Sequence, residues 1–307
     1  MRRLAYLLLL TSVLGAQNGS LEGPSLGVLW HAGTRTLRPM LGIFGAARLG
    51  EPFAAGRVIQ TAEVCPYSRC AIALAGEGDQ AQATVATWTN GSVDFLPLTG
   101  LPSGFGRVVF SPSGKAAGTS VGSSFFRIVG LPAQASVSEG PVQASSRLLA
   151  VSDSGTLLLA ATEGEVTVLY RAAASGVERL ASAADVRAAS FEADSENAFV
   201  LAGDQILTFA GSTVGVSIGA TANAAALAVV PPAVVALVPG GVLLLSRGAS
   251  NPPERVDCDC DPTFLQPLRE GVFQLTRSSA ELVWILDVNA RAVRFVPALP
   301  QGEEAPR

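Results

Sequence analysis

The sequence predicts an all-β fold, a β-propeller of four-stranded blades, and three observations predict it. A hairpin pattern recurs along most of the chain at a nearly constant step. Each recurrence is followed by a second hairpin, so that about 40 residues carry four short strands, the period of a propeller blade. Helical periodicity is nearly absent, because 32 glycines and 19 prolines interrupt most windows that could hold a 3.6-residue repeat.

The recurring hairpin begins with a short β-branched or apolar run, passes through a tight turn and returns in a second run that leads into glycine. Its clearest copies are RVVFSPSGKAAGTS from Arg107, RLLAVSDSGTLLLAAT from Arg147 and VRAASFEADSENAFVLAG from Val186, with turns centred evenly on Ser113, Ser154 and Ser195. More degenerate copies begin at Ala62 (AEVCPYSRCAIALAG), Ala225 (AALAVVPPAVVALVPG) and Phe264 (FLQPLREGVFQLTRS). The hairpins that follow them include TVATWTNGSVDFLPL, VTVLYRAAASGVERL and LVWILDVNARAVRFV, each a β-ribbon around a turn. One more, GVLWHAGTRTLRPML from Gly27, stands alone. Seven blades are preferred, the first built in part from Gly42 to Gly56; the alternative is a six-bladed ring with an N-terminal ribbon. Radial stacking buries both faces of every sheet, which accounts for nearly continuous apolar strands such as VTVLY and GVLLL. A sandwich would instead alternate cleanly between inward and outward residues. The Ala-rich stretch from Ala172 to Ala189 is where a helix competes.

The copies FSPSGK and VSDSGT resemble the FSPDGK-type turn of bacterial secreted WD40-like propeller repeat proteins of unknown function. The resemblance covers the chain from Ala62 to Leu299 and is close only in the copies at Arg107 and Arg147. It implies the propeller fold and says almost nothing of chemistry. The GH and WD dipeptides of the eukaryotic-type repeat are missing, so the partners of that group are not implied.

Arg2 and Arg3, an apolar run from Leu4 to Val13 and the small residues Gly15 and Ala16 read as a signal peptide over 1–16. A run of roughly ten apolar residues falls short of the ~20 that span a bilayer, so no membrane span is expected. No cysteine follows the cleavage site to take a lipid. The expected mature protein is secreted or periplasmic, with a single propeller domain over 17–299 and a frayed tail, PQGEEAPR, over 300–307. Cleavage takes the formal net charge from −4 to about −6. With one lysine, Lys115, and no basic patch, nucleic acid is not an expected partner. An apolar fraction of 49% and a mean hydropathy of +0.39 call for a large core.

In an exported chain the four cysteines are expected to form disulfides. Cys65 and Cys70 bracket the turn PYSR and fall on facing strands within bridging reach. Cys258 and Cys260 sit in DCDCDP, where a small strained ring competes with a metal site that would add Asp257, Asp259 and Asp261. Strand alternation sends only half of those five side chains to one side, which weakens the metal reading.

Little else points to chemistry, and no cofactor is expected. His31 is the only histidine, so any Ser-His-Asp arrangement must use it, yet it sits beside a hairpin turn with no partner at a suitable spacing. The Gly-rich stretches at Leu41 and Val238 open no helix and carry no Lys-Ser/Thr pair, so they read as turns rather than phosphate cradles. Trp30, Trp88 and Trp284 read as side chains packed between sheets. Glu77, Asp79, Glu163, Glu165, Asp204 and Glu281 lie in turns between second and third strands, on one face of the ring, where they could form an acidic mouth that attracts a cation or a basic partner. The expected function is a binding or scaffold protein of the cell envelope or the extracellular space, holding a protein or small ligand on a propeller face. The alternative is a propeller hydrolase or lactonase whose divalent metal sits in the central channel on carboxylates such as Glu163 and Asp204.

Overall fold

The protein is described by a computed structural model over residues 24–140, 146–211, 213–215, 223–247, 252–277 and 282–297. The expected signal peptide (1–16), the tail (300–307) and Glu281 lie outside these residues.

Seven small antiparallel sheets follow one another along the chain, each a meander whose neighbours in sequence are neighbours in space. Blade 1 covers 25–49 and has three strands; blades 3 to 7, over 109–140, 146–183, 186–214, 226–257 and 266–297, have four each. Blade 2, over 59–97, gains a fifth strand because Ala54–Ala55 pairs parallel to its outer edge at Ser92–Val93. The Ala-rich stretch is strand throughout, in Val166–Ala173, Gly176–Ala183 and Val186–Phe191. Helix propensity gives way there because Leu169 and Phe191 are buried against the next sheet, and tertiary burial outweighs a few tenths of a kcal/mol per residue.

Seven apolar clusters fill the seven junctions between neighbouring sheets, and their membership shows that the ring is closed. Phe191 and Phe209 of blade 5 pack on Leu158 and Leu169 of blade 4. Phe273 and Leu286 of blade 7 pack on Val235 and Val242 of blade 6. At the closure, Leu26, Met40 and Leu49 of blade 1 meet Leu268, Val283 and Val296 of blade 7. On its other side, Val28 and Leu37 meet Ala62, Val64 and Ala73 of blade 2. A Leu, Val or Phe buried in this way contributes ~1.5–3 kcal/mol, so closure rests on side-chain packing spread over both flanks of blade 1.

Blade 1 does not reach the axis. Its first strand, Ser25–His31, has the inner edge covered by Ser68 of the blade 2 turn, whose Oγ accepts the Val28 N–H at 2.8 Å. Gly27, at φ +149°, lets the two meet: a Cβ there would stand 2.6 Å from Ser68 Oγ and 3.3 Å from Leu268. Blades 7 and 2 therefore touch directly. The Gln266 side-chain amide donates to the Val64 carbonyl, and Arg277 pairs with Glu63 at 2.8 Å. The preferred count of seven holds for the sheets, while six innermost strands surround the axis.

Candidate functional site: the axial channel

The six innermost strands are Ile59–Val64, Val109–Phe110, Ser146–Val151, Val186–Phe191, Ala226–Val230 and Gln266–Arg269. Together with their flanking turns they enclose a cavity of about 620 Å³ along the axis, and no described residue of blade 1 lines it. Small apolar side chains such as Val109, Leu149, Ala189, Val229 and Leu265 line the wall, together with the charged Glu63, Arg69, Glu270 and Arg277. Such a volume lies in the range of small-molecule sites.

One mouth carries arginines. Arg107, Arg147 and Arg187 stand where the innermost strands of blades 3, 4 and 5 begin, one per repeat, and all three line the cavity. Arg147 donates to the carbonyls of Val186 and Arg187 in the next blade, the latter at 3.3 Å. Arg187 donates in turn to the Ala224 carbonyl ahead of blade 6 at 3.0 Å and to the Gly203 carbonyl. The bonds to Val186, Arg187 and Ala224 tie together the strand starts of blades 4, 5 and 6. Arg187 is also paired with Asp185 at 2.9 Å and Asp204 at 3.3 Å. Neither Arg107 nor Arg147 has a carboxylate within ion-pair distance among the described residues.

The opposite face is made of the turns between first and second strands, and hydrogen bonds stitch them together. Asp153 of blade 4 accepts from the Ser113 backbone N–H at 3.1 Å and its hydroxyl at 2.6 Å in blade 3, and from the Asp194 N–H at 2.7 Å in blade 5. Burial acts most strongly on Asp153 and opposes its ionisation, but the donors from Asp194, Ser113 and Ser111 together hold its carboxyl below the ordinary value. Ser152 and Ser154 both donate to Glu196, at 2.7 and 2.6 Å. Further round, Glu192 pairs with Arg247, whose guanidinium lies 5.0 Å over the Phe199 ring. That arginine, and after it Asn197, keep the Glu192 carboxyl low against the opposing effect of burial. Tyr67 and Glu270 flank the cavity at this end, and burial foremost, then Glu270 and Asp153, push the Tyr67 phenol up.

Of the acidic residues expected at an axial mouth, five lie among the described residues. Glu77 and Asp79 bracket Gly78 in an exposed turn. Glu163 accepts from the Tyr170 hydroxyl and lies 3.9 Å from Arg179, Glu165 is exposed in the same turn, and Asp204 pairs with Arg187. None of these five lines the cavity; the turns do share a face with the arginines, but they sit farther from the axis than the strand starts. Among the described residues no three His, Cys, Asp or Glu side chains gather closely enough to hold a metal ion. Sequence reading passed over the arginines, although their spacing repeats in the very copies that carry the turn signal.

Both cysteine pairs are disulfides, Cys65–Cys70 and Cys258–Cys260, each with its Cα atoms 5.1 Å apart. Cys65 and Cys70 are fully buried between blades 2 and 3. His31 is half-buried rather than exposed, and its Nδ1 accepts the Thr34 N–H at 3.1 Å. Burial first, then the charge of Arg38, lowers its pKa. Trp30, Trp88 and Trp284 pack at sheet junctions, Trp88 stacking on Phe53 at 5.8 Å. No described helix is long and apolar enough to cross a membrane.

No protein-family model and no curated protein matches the chain by sequence. Among solved structures it is similar to a functionally unknown protein from Desulfotomaculum acetoxidans DSM 771, at 12% identity and a TM-score of 0.59, over 89% of this chain and 99% of the other. It is also similar to apo AztD from Citrobacter koseri, at 9% identity and a TM-score of 0.51, over 90% of this chain and 81% of the other. At such identities the likeness is one of fold, and the fold shared is the β-propeller.

Proposed function

We propose that this protein is an exported binding protein whose small ligand enters the axial channel. The observation that carries the reading is the cavity of about 620 Å³, with apolar side chains along its wall and Arg107, Arg147 and Arg187 at one mouth. Apolar walls supply affinity by removing ligand surface from water, and a few polar groups at the rim orient it. Export rests on the N-terminal pattern of Arg2, Arg3, the apolar run and Ala16. N-terminal sequencing of protein recovered from the periplasm or medium should find Ala16 or Gln17 as the first residue; an intact Met1 would refute cleavage.

The channel reading is tested with anilinonaphthalene sulfonate, an anionic probe that fluoresces in apolar sites. Wild-type protein should bind one equivalent saturably. Ala225 is exposed at the arginine mouth, so Ala225→Trp should narrow it without unfolding the ring. The probe's affinity should fall at least ~10-fold, equivalent to 1.4 kcal/mol, with an unchanged melting temperature. Equal affinity in a folded Ala225→Trp protein, or no saturable binding by the wild type, would refute the reading.

A further inference from the structure

We infer that the channel's ligand is an amphiphilic oxyanion whose charged head sits in a cleft between blades 3 and 4. The inference rests on the channel reading and adds the ligand's chemical class. The cleft holds about 490 Å³ and is lined by Arg107 and Arg147 with Ser120, Ser123 and Ser146. It shares Arg107, Val109, Arg147 and Leu148 with the axial cavity, so the two spaces adjoin across these four residues.

Three features give the cleft its selectivity. Among the described residues no carboxylate lines it and none pairs with either guanidinium. The Arg107 guanidinium makes no hydrogen bond among the described residues, its carbonyl alone accepting from the Thr119 hydroxyl, and Arg147 spends donors on the Val186 and Arg187 carbonyls while keeping others of its five. The Ser146 hydroxyl is shielded from solvent and has no hydrogen-bond partner among the described residues. A buried hydroxyl without a partner is costly, and a ligand oxygen would satisfy it. Planar guanidinium groups suit carboxylate and phosphate oxygens, whereas Val109 and Leu148 lead from the head toward the apolar channel wall. A phosphate or carboxylate joined to an apolar body fits both spaces together.

Titration calorimetry with octyl phosphate, octanoate, octanol and inorganic phosphate tests the inference. Octyl phosphate and octanoate should each bind at least ~10-fold tighter than octanol, and the advantage should shrink with added salt. Arg107→Gln leaves the blade-to-blade bonds intact and should remove most of that advantage while octanol binding stays constant. Arg147→Gln should do the same at some cost in melting temperature, since it also braces blade 5. Equal affinity for octyl phosphate and octanol would overturn the oxyanion subsite and leave the channel reading standing. An undiminished advantage in Arg107→Gln would overturn it too. Failure of octyl phosphate, octanoate and octanol alike in protein that binds the sulfonate probe would overturn the inference alone; failure of the sulfonate probe as well would remove both.

Discussion

Replacing Asp153 with asparagine should weaken the ring in a way that depends on pH. In the native protein one carboxylate oxygen accepts from the Ser113 N–H and hydroxyl, and the other from the Asp194 N–H, joining three successive blades. Asparagine keeps one acceptor oxygen but turns an NH₂ toward a donor on the other side. A hydrogen bond to a charged group contributes ~1.5–3 kcal/mol, and partial exposure of the turn lets water replace some of it, so a loss of about 2 kcal/mol is expected. For a domain of this size that lowers the melting temperature by about 4 °C. Because the folded carboxyl is held below its ordinary value, its contribution is complete above the unfolded value near pH ~4 and disappears as pH falls through the lower folded value. Thermal unfolding followed by circular dichroism should therefore show a constant gap between wild type and Asp153→Asn from neutral pH down to about 5, closing in more acid solution. Equal melting temperatures at neutral pH, or a gap that persists undiminished well below pH ~4, would refute the reasoning.

Three further perturbations probe the packing between blades. Cys65→Ala with Cys70→Ala removes a fully buried bridge of sequence separation 5, and the chain-entropy relation gives a loss of about 2 kcal/mol, read as a lower urea midpoint. Phe191→Ala empties a position 1% exposed between blades 4 and 5 and should cost ~3–5 kcal/mol in the same assay. Gly118→Val places a Cβ 2.9 Å from Leu148 Cδ2 and Val151 Cγ2 and 3.0 Å from Leu157 Cδ2, where neighbours on the next blade cannot easily withdraw. Overpacking of that kind should cost ~1–3 kcal/mol, and an unchanged midpoint would show the interface to be looser than described.

The repeat was legible because its turns are chemically narrow. In SPSG and SDSG the chain reverses on Gly114 and Gly155, at φ +73° and +86°, which glycine adopts without strain. The corresponding turns of blades 2 and 5 use Tyr67 at φ +60° and Asp194 at φ +52°, so neither repeats the S-x-S-G turn although the hairpins are equivalent. The short reach of blade 1 was not legible, since it depends on Ser68 and Leu268 occupying the space an innermost strand would take. Radial depth hid the site as well. Sequence order assigns the acidic turns and the strand starts to one face, but only the strand starts stand at the axis, and Arg107, Arg147 and Arg187 mark them.

The six-strand wall of the channel is completed by direct contact between blade 7 and blade 2 inside blade 1, and a double-mutant cycle on Glu63 and Arg277 measures that contact across 214 residues of chain. Glu63→Gln, Arg277→Gln and the double substitution, compared by urea unfolding, should give a coupling energy of about 0.5–1 kcal/mol that declines with salt. Strict additivity, with each substitution indifferent to the other, would contradict closure at this point and with it the six-strand wall of the channel.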